Sequence, residues 1–400
     1  MTDRERVLAT FAGEPVDHVC WQPRLEHWYH YRRKLGSLPE RHAEMELFEV
    51  YDDLGCSVRY AGRPLVFEYD KCSLRTEGDE TGRVTYYETP IGTLTEVLRY
   101  GEEGTSAHRA RFPVQTLDDI AVMEYFLSDE RVRFDQEQFE AIEARLGDRG
   151  VCQYYYPRTG LMRLIINYVG FEETIYLLHD HPERAEAFLA HIERCDDQLI
   201  DVICDSPTQI VNFGDNIDAW LTPPPLFERY LMPLYERRCE QFHAAGKFTH
   251  IHMDGALKPL LPYLAKLPQH GIEAPTPLPQ GDVTLDELQD AFGDKIMLDG
   301  IPCVNFLPGM PEAELEEMTL GLLERFAPNL ILGISDEISP PGEIERVRRV
   351  TEIVEATAGQ GGNDGHEGNE GDEGNDGNGG KDANGVAKTR LRSRSVGQVT

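Results

Sequence analysis

The sequence contains no unbroken apolar run of about 18 residues, so no membrane-spanning helix is expected. It is also short of cations: 39 Lys and Arg face 71 Asp and Glu, for a formal net charge of -32. Without a basic face to neutralise phosphates, sequence-independent binding to DNA or RNA is excluded, as is attachment to an anionic membrane surface. None of the eight cysteines belongs to a CxxC pair, so zinc-finger and redox-dithiol readings fail and the thiols read as reduced. The opening Met-Thr-Asp-Arg-Glu-Arg lacks the basic-then-apolar layout of a secretory signal, and the expectation is a soluble, cytoplasmic protein. No Gly-x-Ser-x-Gly elbow and no Cys–His arrangement is legible, which disfavours covalent hydrolase chemistry. A strand, glycine-rich turn and helix with a phosphate fingerprint is missing too, which disfavours a doubly wound open sheet.

What the chain does have is material for one large α/β domain: 400 residues, 40% of them apolar. Residues 359–400 differ sharply, with 12 of the 36 glycines and a repeat of glycine every third position from 362 to 380. Without proline between them these glycines cannot stiffen a triple helix, so a disordered tail is expected after a domain of residues 1–358. The tail carries seven acids and five bases, which leaves about -30 of the charge on the domain.

Within that domain, residues 2–12 form an amphipathic helix with Val7, Leu8 and Phe11 on one face, followed by strand-like VDHVCWQ and GCSVRYAG near 55–62. Residues 63–112 alternate in β fashion between EGDETG and PIG turns, which predicts an antiparallel insertion. From 115 onward the rhythm is βα: strands at 150–156, 208–215, 247–255, 270–275, 295–300 and 329–335 are separated by helical stretches. Four full βα units in the last 150 residues predict an α/β fold of TIM type, a (β/α)8 barrel with the insertion at 63–112.

A barrel of this kind works at the carboxyl ends of its strands. There the sequence places Asp215, His250, His252, Asp254, Glu273, Asp299, Asp336 and Glu337. The sharpest motif is His250-Ile251-His252-Met253-Asp254-Gly255, whose period-2 alternation puts His250, His252 and Asp254 on one face. An imidazole and a carboxylate converging with an oxygen from Asp336 or Glu337 suit a divalent metal of Zn, Fe or Mn character. The alternative is a pair of hydrogen-bonded histidines held by Asp254. Asp215 reads either as a pocket acid or as a helix N-cap. Asp282 precedes the capping box of Thr284 and Glu287 and reads as structural. Arg24, Glu26, His27 and Trp28 after the first strand form a charged aromatic cluster that suits a planar or acidic ligand, or else a surface helix packing its Trp inward. Tyr154, Tyr155 and Tyr156 read as barrel-rim packing, with Tyr155 a candidate for the pocket wall.

Several stretches resemble one family. TDRERVLATFAGEPVDHV resembles the opening of the uroporphyrinogen decarboxylase superfamily, and FGDNIDAWLTPPPLFERYLMPLYERRCEQFHAAGKFTHIHMDG is similar to its central block. GIEAPTPLPQGDVTLDELQDAFGDKIMLDGIP and LGISDEISPPGEIERV are similar to its later strands, so the resemblance spans most of 2–356 and implies a TIM-type barrel. One branch of the superfamily decarboxylates a porphyrin precursor without metal, using an arginine-rich early loop. Here WQPRLEHWYHYRRK supplies Arg24, Arg32 and Arg33 but not that motif. The other branch resembles corrinoid-dependent methyltransferases, in which a His-x-Cys motif and a distant Cys bind zinc. His252 matches that histidine, Asp254 stands for the first cysteine, and Ser335, Asp336 or Glu337 for the second. The resemblance therefore implies a methyltransferase-like enzyme with a metal at His252, Asp254, Asp336 and Glu337, zinc foremost. Asp215 and Glu26 would act as its pocket acids, with His250, Arg24, Tyr155 and Asp299 around them. A small-molecule substrate is expected, with a corrinoid as co-substrate carried by a corrinoid protein, or a methoxy compound as donor. Tetrapyrrole decarboxylation, or a non-catalytic barrel that binds a corrinoid or small acid, are the alternatives.

Overall fold

The first helix, Asp3–Ala12, begins at a complete capping box: the Thr2 hydroxyl accepts from the amide of Glu5, and the Glu5 carboxylate accepts from that of Thr2. Its inward face buries Val7 and Phe11 against Cys20, Val151, Ile210, Ile296, Leu298 and Ile331. Four of these are the first or second residues of their strands, so the helix closes the amino-terminal end of a ring of strands.

The computed structural model describes residues 1–101 and 106–360; of the tail expected at 359–400, residues 359 and 360 belong to the last helix, Glu345–Gln360, and 361–400 lie outside the described residues. Its strands, in chain order, are β1 (Cys20–Trp21), β2 (Leu65–Tyr69), β3 (Ser73–Asp79), β4 (Gly82–Thr89), β5 (Gly92–Tyr100), β6 (Ala107–Arg111) and β7 (Glu130–Phe134). The remainder are β8 (Gln153–Tyr156), β9 (Ile210–Ile217), β10 (Phe248–Met253), β11 (Gly271–Glu273), β12 (Ile296–Pro302) and β13 (Leu330–Ser335). Seven of them make one parallel sheet in the order β1-β13-β12-β11-β10-β9-β8. Helices cover it on the outside, which is why its strands are nearly continuous apolar runs.

The ring is completed by a segment that is not a regular strand. Ser57 donates its amide to Trp21 O at 2.9 Å on the β1 side, and Val58 donates to Arg149 O at 2.9 Å on the β8 side. The Gln22 side chain also donates from Nε2 to Ser57 Oγ at 2.7 Å. The sequence predicts a strand over 55–62, and residues 56–60 take its place between β1 and β8 without ladder pairing. The backbones touch instead: a Cβ on Gly150 would lie 2.1 Å from Val58 O, so only glycine fits there. The chain thus forms an eight-stave α/β barrel.

The predicted insertion is present, with an addition. β3–β6 form an antiparallel four-stranded meander, while β2 leaves it to pair with β7. β7 was not expected, because it follows the helix Leu117–Asp129 with no turn residue between them. Asp129 marks the junction, its carboxylate accepting from the amides of Lys71 and Cys72 at 2.7 Å.

Two of the helical stretches expected between the strands are interrupted, both at prolines. The stretch 224–245 contains a π turn at Phe227–Leu231 before the regular helix Met232–Ala244, next to Pro233, which cannot donate an amide. The stretch 257–267 shortens to a 3-10 turn, Lys258–Leu260, and a helical turn, Leu261–Leu264, around Pro259 and Pro262.

Candidate functional site

The carboxyl ends of the staves enclose a polar interior organised by Arg59, a residue of the irregular segment that is 1% exposed. Its guanidinium donates to Glu273 Oε1 at 2.8 Å from Nη1 and to Gln22 Oε1 at 2.9 Å from Nε. Nη2 lies 2.8 Å from Asp299 Oδ1 without hydrogen-bond alignment, so neither oxygen of Asp299 has a bonded partner. Burial, with Glu273 adding like charge, pushes the Asp299 carboxyl up to about 7 despite Arg59. Glu273 resolves the other way: burial opposes its charge, but His252 and Arg59 hold it well below the usual carboxylate range. It is bonded from every side, accepting also from the Tyr60 hydroxyl at 2.6 Å and the Asn212 amide at 2.7 Å.

His252 stands on β10 above this network and is 2% exposed. Its Nδ1 lies 3.0 Å from Glu273 Oε2, whereas its buried Nε2 has no hydrogen-bond partner. Burial works against the imidazolium, but the hydrogen bond and charge of Glu273, with Asp336 and Asp254 behind them, raise its pKa to about 9. Asp254 Oδ2 is 4.0 Å from the bare Nε2, and burial raises the Asp254 carboxyl.

The distal carboxylates are engaged elsewhere. Asp336 is paired with Arg24, while Glu337 lies 4.0 Å from Arg24 and 3.9 Å from the His27 ring. The charged aromatic cluster after β1 is the helix Glu26–Lys34, with Trp28 and Tyr29 packed inward and the Trp28 indole donating to Gly342 O at 3.0 Å. Glu26 accepts from Tyr51 at 3.0 Å through one oxygen, and its other oxygen is buried without a partner.

Of the remaining candidates, Asp215 is closed off. It accepts from the Thr159 amide at 2.6 Å, the Thr159 hydroxyl at 2.5 Å and the Tyr235 hydroxyl at 2.6 Å. With these bonds it secures the turn after β8, and burial raises its pKa. His250 lies deeper than His252, 2.9 Å from Gln153 Oε1 and against the Phe11 ring; burial pushes its pKa down to about 3, so the ring is neutral. Tyr155 lies over Gly214, where a Cβ would meet its ring at 1.9 Å, and makes an edge contact with Tyr60. Asp282 caps the turn at Leu257 and Lys258, as a structural residue does.

Arg59, Tyr60, Gln22 and Asn212 were not anticipated. The available signal was an arginine inside the apolar SVRYAG stretch, where a buried cation requires buried anions. Backbone cost gathers at this end of the barrel as well. Among the described residues the non-glycine residues with left-handed φ are Asn216 and Ala274, at and next to the ends of β9 and β11, and Asp299, in the middle of β12 facing Arg59.

The fit of a metal rests on His252. A carboxylate on one ring nitrogen and a bare, buried second nitrogen is how a metal-ligating histidine is held, and Asp254 supplies an oxygen donor nearby. These two residues fit. Among the described residues no group of three or more His, Cys, Asp or Glu is arranged to hold a metal ion, and Asp336 is paired with Arg24.

The model of the family described as uroporphyrinogen decarboxylase (URO-D) matches residues 159–357. The fold is similar to that of a methyltransferase from Methanosarcina mazei, at 15% identity and a TM-score of 0.56, over 89% of this chain and 99% of that one. A B12-independent methionine synthase from Shewanella sp. W3-18-1 is more distant, at 11% identity and a TM-score of 0.39, over 81% of this chain and 91% of that one. The search of curated proteins gives no match.

Proposed function

We propose that this chain, whose residues 159–357 match the uroporphyrinogen decarboxylase (URO-D) family model, is a methyltransferase-like enzyme of that superfamily that works at His252. The observation that carries the reading is the His252 ring, fixed by Glu273 at Nδ1 and bare at the buried Nε2. Glu273, itself fixed by Arg59, Tyr60 and Asn212, holds a proton on Nδ1, and the second proton of the raised imidazolium, on Nε2, is the one a bound cation would displace or an acceptor would receive. His252 and Asp254 would hold a divalent metal of zinc type, and Asp336 would join them on release from Arg24. When bound, such a metal supplies Lewis-acid activation of an acceptor thiol, hydroxyl or water. The methyl donor is a methylated corrinoid, carried by a corrinoid protein, or a methoxy compound, and the acceptor is a small molecule.

Decarboxylation of a poly-acid tetrapyrrole fits less well. Asp254, Asp336 and Glu337 crowd the mouth with like charge, against one paired arginine. Incubation of the zinc-supplemented protein with methylcobalamin and a small thiol tests the choice. Thioether formation that falls to background in His252→Ala supports it. Anaerobic conversion of uroporphyrinogen to coproporphyrinogen, with no methyl transfer, would sink it.

A further inference from the structure

A second cleft, of about 350 Å³, lies between the barrel rim and the antiparallel insertion. Its walls are aromatic: Phe67 of β2, Tyr87 of β4, Tyr155 of β8 and Tyr168. Its cations are Arg63 and Arg158. Arg163 and Asp196 also line it, but they neutralise each other in a two-pronged pair of 2.9 and 3.1 Å, with the Tyr156 hydroxyl on the same carboxylate. Glu130 is the other acid, already accepting from Tyr69 at 2.8 Å, and burial raises its pKa.

Arg63 and Arg158 are different. Among the described residues neither has a carboxylate partner. Arg63 is exposed, and Arg158 gives one bond, from Nη2 to Asn216 Oδ1 at 2.8 Å, while its buried Nε has none. Two guanidinium groups without a carboxylate, and the buried, unpartnered Nε of Arg158, suit an anion, and the rings suit a flat apolar body. Tyr155 separates this cleft from the mouth, lining the cleft while touching Tyr60, which bonds Glu273.

We infer that this cleft is a binding site for a planar arene carrying a carboxylate, separate from the His252 centre and independent of the function proposed for it. The insertion supplies one wall, so the site belongs to the insertion as much as to the barrel.

Calorimetric titration of the full chain with benzoate, benzamide and acetate tests the inference. Benzoate is expected to bind saturably, with benzamide and acetate each at least about tenfold weaker. Arg63→Gln, a surface change that leaves folding intact, and Arg158→Gln are each expected to weaken benzoate about fivefold or more, with His252→Ala unchanged. Benzamide binding as tightly as benzoate would overturn the inference, and so would indifference to both arginine variants. Loss of benzoate binding in His252→Ala would also overturn it, by placing the arene acid in the mouth.

Discussion

The two ends of the barrel are built from the same strands with opposite chemistry. At the amino-terminal end Val7 and Phe11 meet Cys20, Ile210, Ile296 and Ile331, and the interior is apolar. A few residues along the same strands the interior becomes Gln153, Asn212, His252, Glu273 and Asp299 around Arg59, all buried. Burying apolar surface stabilises directly, whereas burying Arg59 with two carboxylates costs desolvation that only good geometry offsets. The polar end is therefore the one whose composition needs a functional explanation. The residues of left-handed φ collect there as well.

The contrast breaks most severely at Arg59. Arg59→Ala leaves Glu273 and Asp299 buried without their cation, and urea unfolding should show a loss of about 3–5 kcal/mol. A loss under ~1 kcal/mol would mean that the polar interior is not held by this residue. Phe11→Ala at the other end should cost somewhat less, about 3 kcal/mol, with benzoate and metal binding unchanged. An effect on either would show that the two ends are coupled.

pH separates the ends more finely. His252 rises from 6.5 to about 9 on folding, so its contribution to stability is complete below pH 6.5 and is lost as pH rises through 9. The difference in unfolding free energy between the wild type and His252→Gln should shrink over that window, and a flat difference would refute the His252–Glu273 pairing. The smallest stability effect belongs to Arg24→Gln. Its partner Asp336 is 37% exposed, and solvent screening limits the loss to about 1 kcal/mol or less. The same variant should bind zinc more tightly, since it releases Asp336; weaker binding would show that Arg24 supports the site.

Much of this contrast was legible in the sequence. The βα rhythm predicted the barrel, and the alternation around His252 led to the ring now found beside Glu273. The start of the helix Leu285–Phe292 followed from the Thr284 capping box. Arg59 was hidden because its partners lie 214 and 240 positions along the chain, a distance no local pattern spans. β7 was hidden because its strand pairing with β2 has no turn to announce it. The fate of Asp336 was equally illegible, since spacing does not show that Arg24, 312 positions earlier, takes it.

The central claim is that His252 presents a nitrogen prepared for a cation. Metal content of the full chain after zinc loading and dialysis tests it most directly, with His252→Ala and Glu273→Gln measured in parallel. The prediction is about one equivalent in the wild type, none above background in His252→Ala, and roughly 10–100-fold weaker retention in Glu273→Gln. Less than about a tenth of an equivalent in the wild type, or a content unchanged by His252→Ala, would contradict it.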